Sequence, residues 1–126
     1  MKYFSIPCAI LALILALSLF NAKAMDNYVA DWCEELDAAQ EAADGGNWAE
    51  AEQLVRSVHE IWDEKQSYFH IVSVHAELDE AEALLAKSLS FAREQDGAEF
   101  RANTAELITQ LRLLSEIQEI SIKNIL

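Results

Sequence analysis

The sequence predicts an all-α fold: a small antiparallel bundle of three to four helices, preceded by an N-terminal signal or anchor helix. Three observations carry this reading. Ala, Leu and Glu, all good helix formers, dominate, and the 126 residues contain only three Gly and one Pro. Apolar residues recur at spacings of three and four, in stretches separated by short polar breaks. No GxGxxG, phosphate-binding loop, CxxC or calcium loop interrupts them. The length suits one small domain.

The first segment, MKYFSIPCAILALILALSLFNAKA, reads separately from the rest. Lys2 precedes an apolar run from Cys8 to Phe20, and Ala22-Lys23-Ala24 sets small residues at the two positions a signal peptidase reads. Tyr3 to Ala22 is also long enough to cross a bilayer as a helix. Residues 1–24 are therefore either a cleaved signal peptide or an uncleaved membrane anchor, with the Ala-Lys-Ala triplet on the side of cleavage. Both alternatives put residues 25–126 outside the cytoplasm. Cys8 lies at the start of the apolar run and not after it, where a lipidated cysteine would be found.

Beyond that segment, Val29, Trp32, Leu36, Ala39 and Ala43 form one stripe of a helix from about Asp26 to Asp44. Gly45-Gly46 ends it, because glycine accepts the left-handed geometry of a C-cap. Asn47, with Glu50 three residues on, opens a second helix carrying Ala51, Val55, Val58, Trp62 and Phe69. The β-branched run Ile71 to Val74 is where this helix is expected to bend or break. A third helix presents Leu78, Ala81, Leu85, Leu89 and Ala92 and stops near Gln95. Asp96 to Glu99 is a second turn and N-cap, and the fourth helix shows Phe100, Leu107, Leu111, Leu114 and Ile117. The C-terminal EISIKNIL alternates instead, and its Ile120, Ile122, Ile125 and Leu126 make an apolar tail expected to pack on the bundle or on a partner. Short connections between amphipathic helices imply antiparallel neighbours. Trp32, Trp48 and Trp62 read as core fillers.

Charge narrows the function. Residues 25–126 carry seven basic against 22 acidic side chains, a net charge of −15. That opposes nucleic-acid binding and an electrostatic grip on anionic lipid, both of which need basic surface. Cys33 is the one cysteine left after residue 24, and it reads as a packed, inert thiol beside Glu34 and Glu35.

The stretch HAELDEAEALL, His75 to Leu85, sets a histidine and two carboxylates at alternate positions. On a helix each residue turns by about 100°, so His75 and Glu77 point to nearly opposite sides. The helical constellation is His75, Asp79 and Glu82, part of a metal site at most, which His59 or His70 would have to complete from another element. The expectation is that no metal and no cofactor binds, and that His75 hydrogen-bonds Asp79 or a carbonyl at the helix junction. HEIWD, His59 to Asp63, follows a zinc-protease H-E-x-x-H until Asp63 replaces the second histidine. No serine lies in a strand–turn–helix elbow and no base neighbours Cys33, so the chain is not expected to be an enzyme.

The apolar N-terminus, GNWAEAEQL at Gly46 to Leu54, Trp62, HAELDEA at His75 to Ala81, Asp96, Phe100 and the terminal Asn124 to Leu126, taken in order and spacing, resemble domain-of-unknown-function family 4363. The likeness covers nearly the whole chain, with one extra residue where the family pattern has H-E-[IL]-D. The resemblance implies a small membrane-targeted protein of Gram-positive bacteria with no established activity, accessory to a small integral membrane protein. The expected function is thus a non-enzymatic extracytoplasmic interaction module with a membrane or envelope protein as partner, Ile122, Ile125 and Leu126 being the contact candidates. The alternative is a solute- or metal-responsive binding protein using the acidic face near His75.

Overall fold

A computed structural model of the chain describes residues 2–72 and 75–125. Among the described residues there are four helices and no strand: α1 Lys2–Asp44, α2 Trp48–Val72, α3 His75–Glu94 and α4 Gly97–Ile125. Each packs on the next in chain order, and α4 returns to α1. Side-chain pairs fix the directions. Tyr68 near the end of α2 donates to Asn21 on α1, and Gln66 on α2 donates to Glu82 early in α3. Asn103 early in α4 donates to the Leu84 carbonyl on α3, and Arg101 pairs with Asp44 at the end of α1. All neighbours are antiparallel, as short connections require.

The periodic stripes meet in the centre. Val29, Trp32, Leu36 and Ala39 of α1 face Ala51, Val55, Val58, Trp62 and Phe69 of α2, Leu78, Ala81, Leu85 and Ala92 of α3, and Phe100, Leu107, Leu111 and Leu114 of α4. Trp32, Trp62, Phe69 and Tyr28 form an aromatic cluster with ring centroids 5.5–6.0 Å apart, in tilted, stacked and edge-on contacts that suit ring quadrupoles. Trp48 is half-buried and meets Phe100 edge-on at 5.5 Å. One buried polar set interrupts the apolar core: Asn103 Nδ2 donates to Ser88 Oγ at 2.7 Å, and Ser88 meets Thr104 at 3.1 Å. Satisfied polar groups of this kind fix the register of α3 against α4 at little cost in stability.

The two turns at one end of the bundle share one construction. After α1, Asn47 N–H donates to the Ala42 carbonyl and Gly46 N–H to the Ala43 carbonyl, with Gly46 at φ 81°. After α3, Asp96 N–H donates to Phe91 and Gln95 N–H to Ala92, with Gln95 at φ 57°. Both are Schellman caps, and each is followed at once by an N-cap, Asn47 accepting from Glu50 N–H and Asp96 from Glu99 N–H. Gly97 is the first residue of α4, so the second turn places its left-handed residue at Gln95.

Two boundaries differ from those the sequence suggests. α1 does not begin near Asp26; it runs unbroken from Lys2, because nothing between the apolar run and Asp26 stops a helix once it is propagating. EISIKNIL continues α4 through Ile125 rather than alternating as extended chain, for the same reason. Ile120 there is 55% exposed. The side chains of Ile122 and Ile125, and all of Leu126, lie outside the described residues, as does the tail packing expected of them. The bend expected over Ile71 to Val74 falls where α2 ends at Val72 and α3 begins at His75, with residues 73 and 74 outside the described residues.

α1 itself has two halves. From Tyr3 to Phe20 its large apolar side chains are exposed, Tyr3 at 90% and Phe20 at 69%, with only Leu15 half-buried. From Ala22 onward the buried stripe begins, and Met25 is 1% exposed. The exposed half spans about 30 Å, the thickness of a bilayer's hydrocarbon core.

Candidate functional site

The antiparallel packing of α2 on α3 places His70, in the last turn of α2, against His75, the first residue of α3. Their Nδ1 atoms are 2.7 Å apart, the ring centroids 4.8 Å apart, and the planes inclined by 32°. His70 is half-buried and His75 exposed. The partner of His75 is thus His70, and not Asp79 or a helix-junction carbonyl as expected. Neighbours along a helix can be read from spacing, whereas this partner belongs to the adjacent helix and becomes visible only once the hairpin closes.

The rest of the His75 motif disperses as the 100° turn requires. Glu77 faces α4 and accepts from Gln110 Nε2 at 2.7 Å. Glu82 faces α2 and accepts from Gln66 Nε2 at 3.3 Å. Asp79 is exposed. The His75, Asp79 and Glu82 set therefore does not converge: Glu82 is engaged with Gln66 and His75 with His70. Among the described residues no three His, Cys, Asp or Glu side chains are grouped as a metal centre. In HEIWD the closing Asp63 takes His59 as its partner, with Nδ1 to Oδ2 at 3.2 Å over one helical turn.

Two grooves flank α1. On the α2 side, Tyr28, Trp32, Glu35, Leu54 and Ile61 line one, and the Lys65 ammonium lies 5.8 Å from the Tyr28 ring centre. Glu35 Oε2 is buried there without a hydrogen-bond partner among the described residues, as is the Trp62 indole N–H in the core. Burial, then the nearby Asp31 and Glu34 carboxylates, push the Glu35 pKa up. Burial also raises the Tyr68 hydroxyl, with a smaller push from Tyr28 and an opposing pull from Lys65.

On the α4 side, Val29, Cys33, Asp37, Arg112 and Ser115 line the second groove. Ser115 also pairs with Asp26 across it. Cys33 is a buried thiol whose pKa is raised, chiefly by burial, against the lowering influence of Arg112, with Asp37 adding to the rise. This is the packed cysteine the sequence suggests, although the acid that raises it is Asp37 rather than Glu34 or Glu35. A raised pKa leaves little thiolate at neutral pH, so the group is a poor nucleophile.

The chain belongs to the family defined by the domain of unknown function DUF4363, whose model matches residues 19–125. The match starts within the apolar half of α1, ahead of the Ala-Lys-Ala triplet. No curated protein and no solved structure matches the chain.

Proposed function

We propose that this protein is a non-enzymatic, membrane-anchored interaction module that holds an acidic helical bundle against the outer face of the cell membrane, as an accessory to a membrane or envelope protein. The observation that carries the reading is the unbroken passage of α1 from an exposed apolar half into the buried stripe of the bundle. A helix apolar on every side belongs in lipid or a protein interior, and this half has no protein around it. Retention of the segment, rather than the processing that Ala-Lys-Ala invites, accords with the packing. Cleavage after Ala24 would remove Asn21, which Tyr68 hydrogen-bonds, and Ala22, which is buried. It would also strip from Met25, 1% exposed in the core, the helical turn that precedes it, and so uncover apolar surface that the intact helix buries. Lys2 ahead of the apolar run favours a cytoplasmic N-terminus, and the acidic bundle then lies outside.

The test is topological. An alkaline phosphatase domain fused after Leu126 is expected to be active, and the protein recovered from the membrane fraction to retain residues upstream of Asn21 by intact mass. An inactive fusion rejects the orientation, and a mature chain starting at Met25 in the soluble fraction rejects the anchor. Co-purification from solubilised membranes then tests for the accessory role. The alternative, a metal-responsive binding protein, draws on the His70–His75 pair.

A further inference from the structure

We infer that His70 and His75 form a two-imidazole site for a divalent transition-metal ion of the zinc, copper or nickel class, at the end of the bundle where α1 emerges. This inference stands independently of the membrane reading.

A neutral imidazole carries one N–H and one lone pair. Two Nδ1 atoms 2.7 Å apart are satisfied by a single shared proton, one ring donating and the other accepting. A cation between them satisfies both lone pairs at once. The donor ring then carries its proton on Nε2, so the neutral pair binds the ion with no net change in protons. Two nitrogens bound at about 2.0–2.1 Å and at right-angled to tetrahedral directions stand about 2.8–3.4 Å apart. The observed separation of 2.7 Å needs to open by about 0.1–0.7 Å, with both rings turning so that their lone pairs meet at one point beside the line between the nitrogens.

The rings are presented by anchored elements. Phe69, beside His70, is fully buried, and Leu78, one turn beyond His75, is 1% exposed, so both helix ends are tied to the core. His75 is exposed, and an ion has access from solvent. Imidazole nitrogen selects zinc, copper and nickel over calcium and magnesium, which take oxygen ligands. The chain's net charge of −13 raises the local concentration of any cation. With two protein ligands, the remaining positions go to water or to a donor from another molecule, which makes the site open and exchangeable.

The experiment uses the full chain in detergent micelles, stripped of metal with a chelator and dialysed. Calorimetric titration with ZnCl₂ at pH 7.5, in excess Ca²⁺ to occupy exposed carboxylates, is expected to show one Zn²⁺ per chain. His70→Gln and His75→Gln should each weaken binding at least tenfold, and His59→Gln should leave it unchanged, all three keeping the parent's helical circular dichroism. A variant-free measurement accompanies it: Cu²⁺ added to the parent should give an electron paramagnetic resonance spectrum with two nitrogen donors. Absence of saturable binding above the Ca²⁺ background, parental affinity in the His70→Gln or the His75→Gln variant, or a spectrum with only oxygen donors would overturn the inference.

Discussion

At the end of the bundle carrying the α1–α2 and α3–α4 turns, two connections repeat one scheme of caps; at the opposite end, one connection carries facing histidines and an apolar helix leaves the protein altogether. The repeated end satisfies its backbone donors and acceptors within a few residues, through a Schellman cap and an adjoining N-cap on each turn. It is built to stop helices. The other end leaves functional groups and apolar surface unspent: the His70–His75 pair, the exposed Ile120 and the exposed half of α1. The contrast teaches where to look for activity. A region whose helix ends are capped locally has little backbone left to offer a ligand, whereas a region that displays facing imidazoles and apolar area has both to offer.

The largest expected effect tests whether packing follows the same division. The aromatic cluster of Trp32, Trp62 and Phe69 lies toward the α1-emergent end, while Trp48 and Phe100 serve the turn end. Trp62 is 2% exposed and touches rings on both α1 and α2. Trp62→Ala is expected to cost about 3–5 kcal/mol, as for other large-to-small core changes. Trp48 is half-buried, so Trp48→Ala should cost about half as much, in keeping with the smaller apolar area removed. Urea denaturation of the two variants checks this, and a Trp48 loss equal to or above that of Trp62 would show the turn end to be the stability centre.

The second effect sharpens the likeness of the two turns. Both need a left-handed residue, but one has Gly46 and the other Gln95. A side chain at such a φ costs about 1–2 kcal/mol, partly offset in the comparison with glycine by glycine's greater freedom when unfolded. Gln95→Gly is therefore expected to stabilise by about 0.5–1 kcal/mol, and Gly46→Ala to destabilise by about 1 kcal/mol. No heavy atom lies within 4 Å of a Cβ built on Gly46, so its loss would come from the backbone alone. Opposite signs in thermal melts confirm equivalence of the turns; equal signs break it.

These pairs also show what the amino-acid sequence discloses and what it does not. Stripes such as Val29–Trp32–Leu36 and Ala51–Val55–Val58 were legible because a buried face repeats with the helical period. Asn47 and Asp96 were legible because capping residues act within three positions. Gln95 was not, since its conformation is imposed by the carbonyls of Phe91 and Ala92 against its own preference, while the glycine two residues on, Gly97, opens α4. The Ser88–Asn103–Thr104 set was not, because periodicity states which face is buried and not what lies opposite. The same limit left His70, like His59, as a side chain that another element would have to bring to His75, with nothing in the spacing to choose between them. Spacing could place Glu77 on another face from His75, but the meeting of the two rings depends on the closure of the α2–α3 hairpin.

The smallest effect concerns charge in the α1–α2 groove, between the two ends. Glu35 has one carboxylate oxygen buried without a partner among the described residues, and burial raises its pKa in the folded chain. The folded state therefore keeps this proton at pH values where the unfolded state has lost it. Stability depends on pH according to the difference in bound protons, so this group makes the protein more stable below the unfolded pKa, near 4, and less stable as pH rises through the folded pKa. Glu35→Gln mimics the protonated form and removes the penalty. The variant is expected to melt above the parent at pH 7, with the gap closing as the pH falls toward 4. Salt should preserve most of the gap, because burial outranks the Asp31 and Glu34 repulsions as its cause and ions do not screen desolvation. A gap that vanishes in high salt at pH 7 would assign the shift to the neighbouring carboxylates instead, and a variant less stable than the parent at pH 7 would mean that Glu35 accepts a hydrogen bond there.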